Sequence, residues 1–406
     1  MLLAVVAASP ASVTAPGGTA AGLAVAPTRA DAARTAEWHL SALGATEAWR
    51  ESTGEGVTVA VVDSGVDSKQ ADLAGQVIVP GRDFVMPGGD GTYDPAGHGT
   101  SVATLIAGRS DDAGVEGLAP GVKILPVRVL NEERKYDDPL VVAQGIRFAV
   151  EYGAKVINLS LGGATESDAI RAAIEYAFAH DVVVVACTGN VGAFADGDQV
   201  WYPAREPGVI AVAGMDKDTL WAGSVTGPQT VLTAPAAGLQ APIPGGGYGR
   251  VYGTSFAAPL VSATAALVRA KSPGLRAGDV VNRLITTATD LGQPGRDDTY
   301  GYGEVDPLRA LTDVIPMIGR NPLGDVTPLG ESGFGPAPGA GVAGGSGESG
   351  MAAAWPTAPA DLPLGTRWIR FAAALTLLVA LTAATAVFRT SLAATRADAR
   401  IRPPPA

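Results

Sequence analysis

Residues 57–66 read VTVAVVDSGV, a run of β-branched and small residues that leads directly into the carboxylate Asp63. A run that is apolar on both faces is typical of a strand inside a parallel sheet whose two faces are covered by helices. Four further runs of this kind indicate buried strands, at 123–130, 156–161, 182–186 and 209–213. Amphipathic stretches at 140–152 and 166–180 alternate with them. The alternation predicts an α/β fold with a mostly parallel central sheet and helices on both faces.

Composition narrows the class of protein further. The chain has 406 residues, of which 47% are hydrophobic and 17% charged, and this is ample for one large core. Its net charge is −11, whereas nucleic-acid binding needs a basic surface, so nucleic acid is excluded as a partner. Because Cys187 is the single cysteine, no disulfide within the chain is expected.

Three segments bring reactive residue types to points where a strand or turn meets another element. The first predicted strand ends in Asp63, His98 lies between two glycines ahead of an apolar run, and residues 253–259, GTSFAAP, lead into an Ala-rich stretch. Each has an ordinary structural explanation as a turn carboxylate, a loop histidine or a helix N-cap. Together they supply a carboxylate, an imidazole and a hydroxyl in a chain with only three histidines.

This combination is what hydrolysis by an activated serine requires. A serine hydroxyl is a weak nucleophile at neutral pH, so a neutral imidazole must take its proton, and His98 is predicted to do so. A buried carboxylate, Asp63, would hold the ring in one tautomer and stabilise the imidazolium, while Ser255 would attack the substrate carbonyl. The sequence therefore predicts a catalytic triad of Asp63, His98 and Ser255.

Four other motifs accompany these segments: VINLSLGG at 156–163, TGN at 188–190, YPA at 202–204 and GYGEVD at 301–306. With the chain order Asp, His, Ser, they make residues 38–315 resemble the subtilase superfamily of serine peptidases. The resemblance implies a subtilisin-like fold and a serine endopeptidase that acts on extended segments of protein or peptide substrates.

The same resemblance implies roles for further residues. Ser160, Leu161 and Gly162 are expected to form a strand edge and pocket wall that pair with the substrate backbone. Asn190 is expected to donate its side-chain amide to the tetrahedral oxyanion, together with the backbone N–H of Ser255.

No metal or other cofactor is assigned, because no His/Cys cluster indicates zinc. His39 is interpreted as a loop residue and His180 as a helix-end residue. Subtilases often hold calcium, and a calcium site in the loop that contains Asp111, Asp112 and Glu116 is the alternative to three solvated carboxylates.

Composition also divides the chain. The predicted divisions are a signal-like N-terminal arm at 1–35, a subtilisin-like peptidase domain at 36–318, a Pro/Gly-rich linker at 319–366, a transmembrane helix at 367–390 and a basic cytoplasmic tail at 391–406. The arm is either a cleaved secretory signal or a retained flexible segment. Residues 371–388 carry no charge, and 18 helical residues rise about 27 Å, close to the thickness of a bilayer core. A soluble helix docked on the core is the other interpretation of this segment.

This layout resembles the mycosins, the membrane proteases of actinobacterial type VII secretion systems. The resemblance implies a single-pass protein of the cell membrane whose extracellular catalytic domain cleaves exported proteins in association with that machinery. The alternative is a structural subunit of a secretion complex whose proteolytic activity is dispensable.

Overall fold

The computed structural model describes residues 30–324, except for 75, 77–79, 110–113 and 194–197. Most of the predicted N-terminal arm, the linker from 325 onward, and the whole of the predicted transmembrane helix and tail lie outside the described residues. Of the helices in the described part of the chain, none has both the length and the hydropathy to span a bilayer.

A mostly parallel sheet forms the centre of the protein, as predicted. Its strands follow the order β2-β3-β1-β4-β5-β6, and β6 also pairs with β8 in parallel and with β7 in antiparallel orientation. The strands are β1 (Thr58–Asp63), β2 (Arg82–Asp83), β3 (Lys123–Arg128), β4 (Val156–Leu159), β5 (Val183–Cys187), β6 (Ile210–Asp216), β7 (Thr219–Leu220) and β8 (Leu232–Pro235). An antiparallel pair, β9 (Ala237–Pro242) and β10 (Tyr248–Tyr252), lies outside this sheet.

Nine α-helices occur among the described residues, besides one 3₁₀ turn at Ala71–Leu73. They are α1 (Ala30–Thr35), α2 (Trp38–Ala42), α3 (Ala45–Trp49), α4 (His98–Ala107), α5 (Pro139–Glu151), α6 (Asp168–Ala179), α7 (Thr254–Lys271), α8 (Ala277–Thr287) and α9 (Pro307–Thr312). Helices α5 and α6 begin where Asp138 and Ser167 accept a hydrogen bond from the first turn, as N-cap residues do.

Helices cover both faces of the sheet. Successive side chains of a strand point to opposite faces, and at the end of β1 the Val62 side chain faces Gly145 of α5, whereas Asp63 faces His98 of α4. The buried helix α7 packs beside α4 and against β4, β5 and β6. The carboxyl end of β1 therefore opens between α4 and α7, which positions the site described below.

The structure corrects the interpretation of His39 as a loop residue. His39 lies in α2 and is fully buried, because α2 and α3 pack onto the core through residues such as Leu40, Ala45 and Ala48. The other isolated histidine, His180, follows the last residue of α6, and its ring Nδ1 donates to the Tyr176 carbonyl, 2.8 Å away, so its assignment to a helix end is confirmed.

Candidate active site

The carboxylate and imidazole predicted for the triad are in direct contact. Asp63 is the last residue of β1, His98 is the first residue of α4, and 2.7 Å separates His98 Nδ1 from Asp63 Oδ1. The same carboxylate oxygen accepts the backbone N–H of Ser64 at 2.7 Å. Asp63 is fully buried and His98 is 8% exposed, so the pair is shielded from solvent, and His98 Nδ1 is directed at the carboxylate.

A second carboxylate, the half-buried Asp94, fixes the start of α4 relative to β1. It accepts the Ser64 hydroxyl and the Gly97 N–H through Oδ1, both at 2.8 Å, and the Thr100 N–H and hydroxyl through Oδ2, at 2.8 and 2.6 Å. Ser64 follows Asp63 in the chain, and Gly97 precedes His98. Asp94 therefore joins the two backbone segments that carry the Asp–His pair.

Burial raises the pKa of the Asp94 carboxyl above its ordinary value, and the hydrogen bonds from Thr100 and Ser64 oppose that rise. The contact between α4 and β1 is also close at Gly99, where a Cβ would come within 2.1 Å of the Gly65 carbonyl oxygen. Only glycine allows the histidine helix to approach the aspartate strand this closely.

Ser255 lies in the first turn of α7, next to the same site. The Phe256 ring packs on the His98 ring with centroids 5.3 Å apart, which brings the start of α7 to the imidazole. Gly253 precedes the helix with φ +147°, and a Cβ there would lie 3.3 Å from Ser255 Oγ and 3.6 Å from Asn190 Oδ1. The Ser255 hydroxyl and the Asn190 side chain therefore face the same small space.

The carbonyl of Ser255 has an unusual partner for a helical residue. In a regular helix it would accept the N–H of residue 259, but Pro259 has no N–H. The Ser160 hydroxyl donates to this carbonyl instead, at 2.6 Å. Asn158 Nδ2 in turn donates to Ser160 Oγ at 2.9 Å, and the Ser262 hydroxyl donates to Asn158 Oδ1 at 2.9 Å. This buried chain of hydrogen bonds anchors the first turn of α7 to the end of β4.

The amide of Asn190 has a defined orientation. Its Oδ1 accepts the backbone N–H of Thr254 at 3.0 Å and is 3.2 Å from the Thr254 hydroxyl. Because the oxygen is held by donors, the NH₂ group is the end of the side chain that remains to donate to a ligand. The arrangement can stabilise a negative charge that develops on an oxygen beside Ser255.

The predicted substrate strand, Ser160 to Gly162, continues from β4 along the edge of this space. Ser160 and Leu161 are buried, whereas Gly162 is half-buried. Gly163 exchanges two backbone hydrogen bonds with Tyr202, at 2.8 and 2.9 Å. The residues predicted from the sequence are thus brought to one site, while Asp94 and the Asn158–Ser262 link were not predicted.

The proposed calcium ligands receive no support from the described residues. Glu116 is ion-paired with Arg34, and its N–H donates to Glu37 Oε1 at 2.8 Å, while Asp111 and Asp112 lie outside the part of the chain that the structure describes. Within that part, no group of three or more His, Cys, Asp or Glu side chains is placed to hold a metal ion.

The fold and this site define a serine peptidase with a parallel α/β core. The chain belongs to the subtilase family, whose sequence model matches residues 54–303. It is 37% identical to subtilisin DY of Bacillus licheniformis over 252 residues, or 62% of this chain and 88% of that protein. It is 35% identical to fervidolysin of Fervidobacterium pennivorans over 319 residues, or 70% of this chain and 44% of that protein, so this match spans less than half of the relative's length.

Solved structures of mycosins are also similar. The MycP3 protease of the type VII (ESX-3) secretion system shares 31% sequence identity at a TM-score of 0.60, over 68% of this chain and 88% of that one. MycP1 from Mycobacterium smegmatis shares 31% identity at the same TM-score of 0.60, over 69% of this chain and 85% of that one. Both the subtilisin-like α/β fold of the peptidase domain and the membership in a family of serine endopeptidases, predicted from the sequence, are therefore confirmed.

Proposed function

We propose that Asp63, His98 and Ser255 are the catalytic triad of this endopeptidase and that Asn190 completes its oxyanion hole. The observation that carries this proposal is the buried 2.7 Å contact between His98 Nδ1 and Asp63 Oδ1 beside the first turn of α7. The Asp63 carboxylate accepts the proton-bearing Nδ1 of His98 as a hydrogen-bond donor. The other ring nitrogen, Nε2, is then unprotonated in the neutral ring and serves as the base for the serine hydroxyl.

The reaction follows from these positions. Ser255 Oγ attacks the carbonyl carbon of the scissile peptide, and its proton passes to His98 Nε2. The negative charge that forms on the carbonyl oxygen is stabilised by the Asn190 amide and the N–H of Ser255. The C–N bond then breaks, and the leaving amine takes the proton from His98. Water repeats the sequence on the acyl ester, which releases the acid and restores the Ser255 hydroxyl.

We propose that the substrate lies extended along residues 160–162. The end of β4 carries these residues past Ser255, and an extended peptide there would add backbone hydrogen bonds to the strand edge. Binding by backbone hydrogen bonds to a strand edge selects flexible, exposed segments of proteins. In a folded strand or helix, the same backbone groups already form hydrogen bonds with their neighbours.

The similarity to MycP3 and MycP1 supports a place for this protein in type VII secretion. The uncharged segment 371–388 supports a single-pass membrane anchor with the peptidase domain, residues 36–318, outside the cell. We propose the same division of the rest of the chain: a signal-like arm at 1–35, a linker at 319–366, a transmembrane helix at 367–390 and a cytoplasmic tail at 391–406. Exported proteins that pass the membrane beside it would be its substrates.

Two experiments with the Ser255→Ala variant test the function. The full-length wild-type chain should cleave members of a peptide library, and the variant should cleave none; equal cleavage by both would refute the triad. In a deletion strain, the wild type should restore secretion. If Ser255→Ala restores it equally well, the protein serves the secretion complex as a structural subunit and its proteolysis is dispensable.

A further inference from the structure

The space beside Ser255 has two walls that come from neighbouring strands. Strand β4 continues into residues 160–163, and strand β5 continues into residues 188–190, which end at Asn190. A substrate carbonyl held by Ser255 and Asn190 belongs to the residue that precedes the scissile bond. The side chain of that residue must enter between the two walls, because the substrate backbone lies along the first wall and its carbonyl points to the end of the second.

Trp201 occupies this gap. A Cβ added at Gly189 would lie 2.3 to 2.4 Å from three atoms of the Trp201 indole, so the ring lies directly against the backbone of the second wall. A Cβ added at Gly162 would lie 3.1 Å from Trp201 Cβ and 3.2 Å from its Cε3. The Cβ and one edge of the same indole therefore lie against the first wall. The two glycines leave a slot between the walls, and an indole fills it.

Backbone hydrogen bonds to both walls hold Trp201 in place. Its own N–H donates to the Thr188 carbonyl at 2.9 Å, and its neighbour Tyr202 exchanges two hydrogen bonds with Gly163. The segment 201–202 therefore bridges the walls and forms the floor between them. Because its position is fixed from both sides and the side chain is half-buried, moving the indole aside would break contacts with both glycines.

We infer that Trp201 restricts the residue before the scissile bond to small, uncharged side chains such as glycine, alanine and serine. A large aromatic side chain needs to bury roughly 150 to 250 Å², and the indole already occupies the slot that would bury it. A charged side chain would lose its hydration against an indole, Leu161 and backbone, without a partner of opposite charge among the described residues of the two walls. This inference rests on the proposed function and adds the chemical class of its substrates.

Cleavage of a peptide series by the full-length chain tests the inference. The peptides share one sequence and differ only in the residue before the scissile bond. For the wild type, kcat/KM should be at least about ten-fold higher for alanine, serine or glycine at this position than for leucine or phenylalanine, since a pocket that misfits by even one methylene discriminates about 10- to 200-fold. Equal or faster cleavage after phenylalanine would overturn the inference.

Variants of Trp201 assign the preference to this side chain. Trp201→Gly should raise kcat/KM for phenylalanine at least about ten-fold relative to alanine, and Trp201→Phe should shift the same ratio by less. A matched control is Trp49→Phe, since Trp49 is another half-buried tryptophan, far from the site in α3, whose Nε1 donates to the Leu118 carbonyl at 2.9 Å. The control should leave the ratio unchanged, and an unchanged ratio in Trp201→Gly would refute the role of Trp201.

A ratio of two substrates does not respond to a general loss of folded protein, and the wild-type profile decides the matter if Trp201→Gly fails to fold. Failure of the inference also differs from failure of the proposed function. If Ser255 reacts with a fluorophosphonate and peptides are cleaved without regard to size, the triad stands and the role of Trp201 is wrong. If no peptide is cleaved and Ser255 does not react, both are wrong.

Discussion

Replacement of His39 by leucine should make the protein more resistant to acid. The His39 ring is fully buried in α2, and neither ring nitrogen has a hydrogen-bond partner among the described residues. Burial lowers the pKa of His39 from its ordinary value near 6.5 to about 3, because a charged imidazolium would lose its hydration there. Leucine is apolar and of similar size, so it fits the same site without a group to protonate.

The sign and size of the effect follow from the two pKa values. Below pH 6.5 the unfolded chain binds a proton at His39 and the folded protein does not, so stability falls as pH decreases from 6.5 towards 3. At pH 5 this proton uptake costs about 2 kcal/mol of unfolding free energy relative to pH 8. The contribution of Glu37 to stability changes with pH in the opposite direction. Burial raises its pKa from 4.5 to about 8, so this contribution falls as pH rises. Both chains retain Glu37, so its contribution cancels in their difference.

Urea unfolding, followed by tryptophan fluorescence at pH 8, 6.5 and 5, measures this difference. Both chains should also carry Ser255→Ala, which prevents self-digestion. The stability of the His39→Leu chain relative to its parent should rise by about 2 kcal/mol between pH 8 and pH 5. Parallel pH profiles of the two chains would show that His39 is protonated in the folded state and would refute the argument.

Substitutions at four further residues have defined outcomes. Asn190→Ala should lower kcat about 100- to 1,000-fold with little change in KM, because one oxyanion donor is lost, and steady-state kinetics would show it. Asp63→Asn should lower kcat by about 10⁴ at neutral pH through the wrong imidazole tautomer, whereas a loss of less than ten-fold would contradict the triad. Asp94→Ala leaves four donors without their acceptor and should cost about 2 to 4 kcal/mol in urea unfolding; Asp94→Asn should recover part of it. Relative to its parent, the Glu37→Gln chain should become more stable as pH rises from 5 to 8, because it lacks the carboxyl whose deprotonation destabilises the folded parent; parallel pH profiles of the two chains would exclude a raised pKa at Glu37.

Much of the fold follows from local sequence patterns. Uninterrupted apolar runs predicted β1, β3, β4, β5 and β6, since a strand covered on both faces has no polar side to interrupt it. The spacing of apolar residues likewise predicted α5 and α6. Strand β6 continues beyond its predicted end to Asp216, because pairing with β7 and β8 extends it, and pairing partners are not visible in a local run.

The residues that support the site are harder to find from sequence. Asp94 and Trp201 lie in loops, and their partners are distant in the chain, as in the contact between Asp94 and Ser64 or between Trp201 and Gly162. Pro259 was a usable signal, since a proline inside the first turns of a helix releases the Ser255 carbonyl for another donor. The local sequence predicts a loop residue at His39 because it gives no sign that the ring is buried without a hydrogen-bond partner among the described residues.

Labelling with a fluorophosphonate probe tests the central claim most directly, because the probe reacts only with a serine whose proton an adjacent base can remove. The wild-type chain should take up the probe at Ser255, as located by peptide mass spectrometry, and both Ser255→Ala and His98→Ala should lose that labelling. Unchanged labelling of Ser255→Ala, or full labelling of Ser255 in the absence of the His98 imidazole, would contradict the account.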